Sequence, residues 1–233
     1  MEDAKVILTK KFREALQYAA MLHCNDFRKG TGIPYIAHLL GVCSLVLYSG
    51  GREEEAIAAL LHDALEDHPQ ETSAEKLSEL FGAEVTRIIE GCTDTPKEYR
   101  GGQKPPWRER KEQYLEHLRS LKPMEDADLK VLRVALADKL DNVRSMVADY
   151  GYYLQKGQAE AFWNRFNANK EEQLWFLREL LALFNEKLGN SKTSSTGAVA
   201  DEKIDRSLGN DVPIPPYFLE EFERAVQELG QRT

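Results

Sequence analysis

A chain of 233 residues with a net charge of −8 has room for one well-filled domain, with or without a tail. It lacks the basic footprint that a general nucleic-acid binder needs. Its 42% hydrophobic and 30% charged residues suit a soluble globular protein, and no stretch approaches the length of a membrane span. The start, Met1-Glu2-Asp3-Ala4-Lys5, has neither the basic residues nor the apolar run of a leader, so a cytoplasmic protein is expected. Cys24, Cys43 and Cys92 are far apart and form no Cys-x-x-Cys pair. That argues against a disulfide framework and a thiolate zinc site, and predicts three small buried residues.

Apolar residues recur at helical spacing, without a convincing alternating strand, so the fold class is all-α. The periodicity predicts helices over 9–24, 35–49, 52–67, 73–90, 106–120, 126–149 and 158–188. Gly30, Gly32 and Pro34 break the chain before the second helix, and Gly50-Gly51 after it. One helical domain is expected over 1–188. Residues 189–213 are rich in Ser, Thr, Gly, Asp and Asn and predict a flexible linker. Beyond it, Tyr217, Phe218, Phe222, Val226 and Leu229 space out one amphipathic helix over 214–233, docked on its own domain or on a partner.

Three pieces concentrate chemistry. In Glu53–Asp67, Ala56, Ile57, Leu60, Leu61, Ala64 and Leu65 form an apolar stripe. At about 100° per residue, His62, Asp63, Glu66 and Asp67 fall within an arc of roughly 140° on the other side. Three carboxylates this close repel one another unless a cation or shared protons offset the charge. A solvated acidic face is the bland alternative. His38 sits in the apolar run Leu39-Leu40-Gly41-Val42, as a metal ligand or as a hydrogen-bonded core residue. Asp138 lies within Leu129–Met146, a helix apolar nearly all round. A buried carboxylate there needs a cation, a metal or several donors, and an ion pair with Lys139 or a distant arginine is the structural alternative.

Together these pieces resemble the HD superfamily, and within it the hydrolase domain of RelA/SpoT-type enzymes and the stand-alone small alarmone hydrolases. The matching stretches are Arg28-Lys29, Pro34-Tyr35-Ile36-Ala37-His38, Ala58-Ala59-Leu60-Leu61-His62-Asp63, Glu66-Asp67, Phe81-Gly82-Ala83-Glu84-Val85 and Leu136-Ala137-Asp138-Lys139-Leu140-Asp141-Asn142. The likeness spans roughly residues 10–150 and implies an HD-type helical bundle.

The resemblance implies His38, His62, Asp63 and Asp138 as ligands of one divalent ion, usually manganese. Two imidazoles and two carboxylates suit manganese, iron or zinc better than calcium. His23, His68 and His117 fall in no motif of the two-metal relatives, so one ion is expected. Glu66 and Asp67 match the acidic pair implicated in activating or positioning the attacking water, and a carboxylate one turn from a ligand suits that role. Arg28 and Lys29 match a pair that borders the substrate purine and phosphates, with one more residue before Pro34-Tyr35 than the family pattern. Asn142 and Ser145 match positions that face nucleoside, whereas Tyr35 reads as a core aromatic.

The implied activity is removal of the 3′-pyrophosphate from guanosine tetra- or pentaphosphate, a small-molecule nucleotide substrate in alarmone metabolism (the stringent response). No nucleic-acid or membrane partner is implied, and a homo-oligomer is left open. The alternatives are an HD phosphohydrolase acting on another nucleotide or phosphoester, and a non-catalytic HD protein that senses a nucleotide or binds a partner. The basic stretch Thr93–Lys111 is either a lid whose Lys104, Arg108 or Arg110 meets phosphate, or a solvated loop, the reading that each residue taken singly favours.

Overall fold

A computed structural model describes residues 5–96, 99–189 and 213–232. The described residues form helices and connecting segments without a strand, apart from one isolated bridge between Phe27 and Pro34. The all-α expectation holds. Among these residues no helix is long and apolar enough to cross a membrane.

The helices are α1 (Lys10–Leu22), α2 (Ile36–Tyr48), α3 (Glu53–Leu61), α4 (Ala64–Asp67), α5 (Ala74–Phe81) and α6 (Ala83–Cys92), followed by α7 (Trp107–Ser120), α8 (Asp126–Gln155), α9 (Ala159–Trp163), α10 (Lys170–Leu188) and α11 (Pro216–Gln231). Their starts are set by local chemistry. The Thr9 side chain accepts from the Lys11 N–H at α1, and Asn169 and Glu172 cap α10 reciprocally. At α5 the cap is Ser73, whose side chain accepts from the Lys76 N–H, while the preceding Thr72 hydroxyl accepts from Tyr18.

Three predicted helices are each two. The 73–90 stretch breaks at Gly82, whose φ of +96° is a conformation that a side chain would strain. The 158–188 stretch divides into α9 and α10. The 52–67 stretch breaks at His62-Asp63, where the His62 ring turns back on the Ala59 carbonyl. A side chain that bonds the backbone of its own preceding turn competes with helix continuation.

The centre is α3, whose Ala56–Leu61 are wholly buried between α1, α2, α6 and α8. Helix α8 crosses the bundle with Val131–Asp138 buried. Beside it, Arg133 donates to Glu55 at 2.7 Å, so the buried arginine of this helix serves Glu55 and not Asp138. The terminal helix docks on its own domain. Pro216 starts it, and Phe218, Phe222, Val226 and Leu229 are buried against α8 and α10. The Phe222 ring meets Phe184 edge-on, 5.9 Å between centroids. Each such buried side chain contributes roughly 2 kcal/mol. The 189–213 linker falls almost wholly outside the described residues.

Candidate functional site

Three helical segments bring four side chains to one point. α2 supplies His38, the α3–α4 junction supplies His62 and Asp63, and α8 supplies Asp138. Asp138 Oδ1 lies 3.2 Å from His38 Nε2 and 3.6 Å from His62 Nε2. Asp63 Oδ2 lies 3.0 Å from His62 Nε2 and 3.8 Å from His38 Nε2. The break after His62 produces this arrangement, since it lets consecutive residues aim at one centre.

The ring nitrogens facing away are held. His38 Nδ1 is 2.6 Å from Asp141 Oδ2, and His62 Nδ1 is 2.9 Å from the Ala59 carbonyl oxygen. Each backing group accepts an N–H, which leaves Nε2 with its lone pair toward the centre. Both Nε2 atoms are buried and neither has a hydrogen-bond partner, despite the nearby carboxylates. Gly41 permits the backing of His38, because a Cβ at that position would collide with the Asp141 carboxylate.

The charges point the same way. Burial would raise the Asp138 carboxyl, but Lys139 and His62 outweigh it and hold it well below the usual carboxylate range. Burial likewise opposes ionisation of Asp63, and His62 overcomes it, so Asp63 is lowered too. Burial would lower both imidazoles, yet the neighbouring aspartates draw His38 and His62 upward. The pocket keeps its acids ionised and attracts positive charge. Orphaned imidazole nitrogens beside ionised carboxylates form a donor set that fits a divalent cation.

Beside this centre lies the acidic pair. Lys104 Nζ is 2.9 Å from Glu66 Oε1 and 3.5 Å from Asp67 Oδ1. Arg110 approaches Glu66 at 3.6 Å and forms a tight buried pair with Asp94, which also accepts from Lys111 at 2.5 Å. The described part of the basic stretch is therefore docked on the acids, against the solvated-loop reading of its residues. Arg100 and Arg108 are exposed and lie elsewhere, Arg100 donating to the Tyr99 carbonyl and Arg108 pairing with Glu112 over the Trp175 ring. Burial pushes Asp67 up to about 7, with Asp63 and Glu66 adding to it, and burial with Asp94 also raises Glu66.

Asp94 ties the stretch down. Burial would raise its carboxyl, but Lys111 and Arg110 hold it at about 2. Its contribution is present above the ordinary carboxylate value and lost as pH falls through about 2. Asp94→Asn removes the buried carboxylate that Arg110 and Lys111 share, and a loss of about 3 kcal/mol is expected in urea unfolding at neutral pH. A midpoint equal to wild type would show that the pair contributes nothing.

A cavity of about 450 Å³ reaches Asp67 of the acidic pair, as well as Tyr35 and Lys139, the partners of Asp63 and Asp138. Arg28, Lys29, Asn142 and Ser145 all line it, together with Asp67, Lys111, Lys139 and Arg165. Arg28 donates to Asp141 at 3.1 Å, Asn142 at 3.2 Å and Ser145 at 2.6 Å, so three of the four predicted contacts form one network. Trp107 and Phe176 form part of its wall, packed edge-on at 5.9 Å. Five cations face two aspartates, Asp67 and Asp149, in a chain that is acidic overall.

Residues 15–172 match the family described as HD domain. The chain belongs to the HD-domain family. A guanosine-3′,5′-bis(diphosphate) 3′-pyrophosphohydrolase of Aquifex aeolicus is 35% identical over 138 residues, covering 59% of this chain and 18% of that protein. One of the same name from Danio rerio is 36% identical over 136 residues, covering 57% of this chain and 67% of that protein. This HD domain thus corresponds to under a fifth of the Aquifex relative and two thirds of the Danio one. A solved structure, described as a metazoan ortholog of SpoT that hydrolyzes ppGpp, superposes with a TM-score of 0.52 at 25% identity, covering 78% of this chain and 98% of that one.

Several residues of this HD domain site escaped the sequence reading. Tyr35, expected in the core, donates its hydroxyl to Asp63 Oδ2 at 2.6 Å. Asp141 joins His38 to Arg28; it lies within the matching stretch Leu136–Asn142, but no role was assigned to it. Asp138 makes the ion pair with Lys139 through Oδ2 at 2.5 Å, and its Oδ1 faces the histidines and accepts from Asn142. Of the cysteines, Cys43 and Cys92 are buried as expected, whereas Cys24 is exposed.

Proposed function

We propose that this HD domain removes the 3′-pyrophosphate from guanosine tetra- or pentaphosphate, with His38, His62, Asp63 and Asp138 holding one divalent ion, manganese. The observation that carries this reading is the convergence of those four side chains beside an acidic pair, at the edge of a cavity lined by cations. The printed names of the relatives supply the substrate class. When bound, the ion supplies Lewis acidity and positive charge next to the phosphoryl oxygens.

The chain's own residues do the rest. Arg28, Lys29, Lys111 and Lys139 offer positive charge and donors to a polyphosphorylated nucleotide. Asn142 and Ser145 sit where nucleoside polar groups arrive, and Trp107 and Phe176 give the cavity an apolar wall. Asp67 faces the cavity with its carboxyl pushed up to about 7, so it accepts a proton from the attacking water near neutral pH. Glu66 is engaged by Lys104 and Arg110, and it positions those cations against the acidic pair. The water oxygen bonds to phosphorus as the ribose 3′ oxygen leaves, giving pyrophosphate.

The test is to incubate the full chain with manganese and guanosine tetraphosphate, and to measure pyrophosphate and GDP against phosphate release from ATP and GTP. Pyrophosphate release from the guanosine compound alone is expected. Phosphate release from ordinary nucleotides would make it an HD phosphohydrolase of another specificity. Tight binding of nucleotide without turnover would make it a sensor.

The rate should also report Asp67. Its basic form is present above its pKa, so turnover falls as pH drops below a midpoint no higher than about 7, by about tenfold per pH unit. The pH–rate profile of wild type against Asp67→Asn reads this, and an acid limb of equal size in both would assign it elsewhere.

A further inference from the structure

A second cluster of metal-ligating side chains stands apart from the centre above. His23 follows the end of α1 and His68 the end of α4, while Asp26 lies in the connection from α1 to α2. All three meet at one carboxylate oxygen. Asp26 Oδ2 is 2.7 Å from His23 Nδ1 and 2.6 Å from His68 Nε2. The two imidazoles stand edge to face, 4.6 Å between centroids. Behind His68, Glu71 Oε2 lies 3.7 Å from Nδ1, on the ring edge away from Asp26.

We propose that His23, Asp26 and His68 form a second, separate site for a zinc-class ion, which clamps the end of α1 to the turn after α4. Two imidazole nitrogens and one carboxylate oxygen are the donors that zinc takes in three-ligand sites, with a fourth position left to water. They do not suit magnesium or calcium, which prefer oxygen throughout.

What favours an ion over a plain hydrogen-bonded knot is the donor set: one carboxylate oxygen faces two imidazole nitrogens, and a single ion can take all three. The site also has an entry, since the Asp26 side chain is 34% exposed and that of His68 16%. Burial lowers the His23 pKa, which keeps its ring neutral and able to ligate at neutral pH.

This is not the second half of a two-metal centre. The Tyr35 ring stands between the clusters, with its centroid 5.3 Å from the His23 ring and 5.4 Å from the His38 ring. Metals that share a substrate oxygen sit about 4 Å apart. The clamp instead holds the connection that carries Arg28 and Tyr35, and so positions two residues of the main site from outside it.

The experiment is zinc stoichiometry of the untagged full chain, by equilibrium dialysis against zinc alone and elemental analysis. Wild type is expected to hold two ions. Asp138→Asn should keep one, His68→Gln should keep one, and the double variant should keep none. Asp26→Asn repeats the loss of one ion with a more exposed residue, and circular dichroism checks that each variant is folded. In the Asp138→Asn background, zinc should raise the melting temperature, and adding His68→Gln should abolish that rise. A wild type that binds a single ion, lost in Asp138→Asn and kept in His68→Gln, overturns the proposal. So does an unchanged stoichiometry in folded His68→Gln and Asp26→Asn. Failure at Asp138 alone would count against the HD centre and leave this site standing.

Discussion

Asp138→Asn abolishes binding of the divalent ion at the HD centre and lowers turnover by about a thousandfold or more. In the proposed centre Asp138 is the side chain that one helix, α8, brings to a point otherwise built by α2 and the α3–α4 junction. Its Oδ1 is the atom near both free imidazole nitrogens. Asparagine keeps the shape but removes the charge, leaving Lys139 beside a neutral amide in a site only 4% exposed. Loss of a catalytic cation removes several kcal/mol of charge stabilisation, and about 1.4 kcal/mol is tenfold in rate. Removing one partner of a buried pair also costs roughly 3 kcal/mol of stability. Rates are therefore compared on protein shown to be folded, alongside manganese content. A folded variant with full manganese content would remove Asp138 from the ligand set.

Asp67→Asn is expected to keep the ion and lose roughly a thousandfold in turnover, within the range that general base catalysis supplies. The two acids differ in what surrounds them. Glu66 is satisfied by Lys104 and approached by Arg110, while Asp67 lines the cavity and is tuned to about 7 by burial, Asp63 and Glu66. A carboxylate that titrates near neutral pH both accepts and releases a proton readily. Glu66→Gln keeps one acceptor for Lys104, so its loss should be smaller, on the order of tenfold. Manganese content and kcat measured together separate these roles. A fully active Asp67→Asn enzyme would refute the assignment, and a Glu66→Gln variant worse than Asp67→Asn would reverse it.

What the amino-acid sequence determined by itself is local. Helical periodicity depends on residues within one or two turns of each other, and it placed the helices from Lys10 through Leu188, as well as the terminal one. Residue type within a helix also marked the unusual members: a histidine after Ala37, a His-Asp pair ending an apolar stripe, an aspartate inside the buried face of α8. Those are positions where local preference and chemistry conflict, which is where function shows in a sequence.

Only tertiary packing decided the rest. The break at His62-Asp63 is invisible to a periodic pattern, because a side-chain bond to the Ala59 carbonyl and the packing of neighbouring helices produce it. Lys104 reaches Glu66 across 38 residues of chain, and Arg28 reaches Asp141 across 113. Such pairs carry no sequence period, since the intervening helices set their distance. The same holds for His23, Asp26 and His68, three residues without a shared motif that meet because the end of α1 and the turn after α4 pack together. The docking of α11 belongs here too, for an amphipathic face states that it will be buried and leaves its partner to the fold.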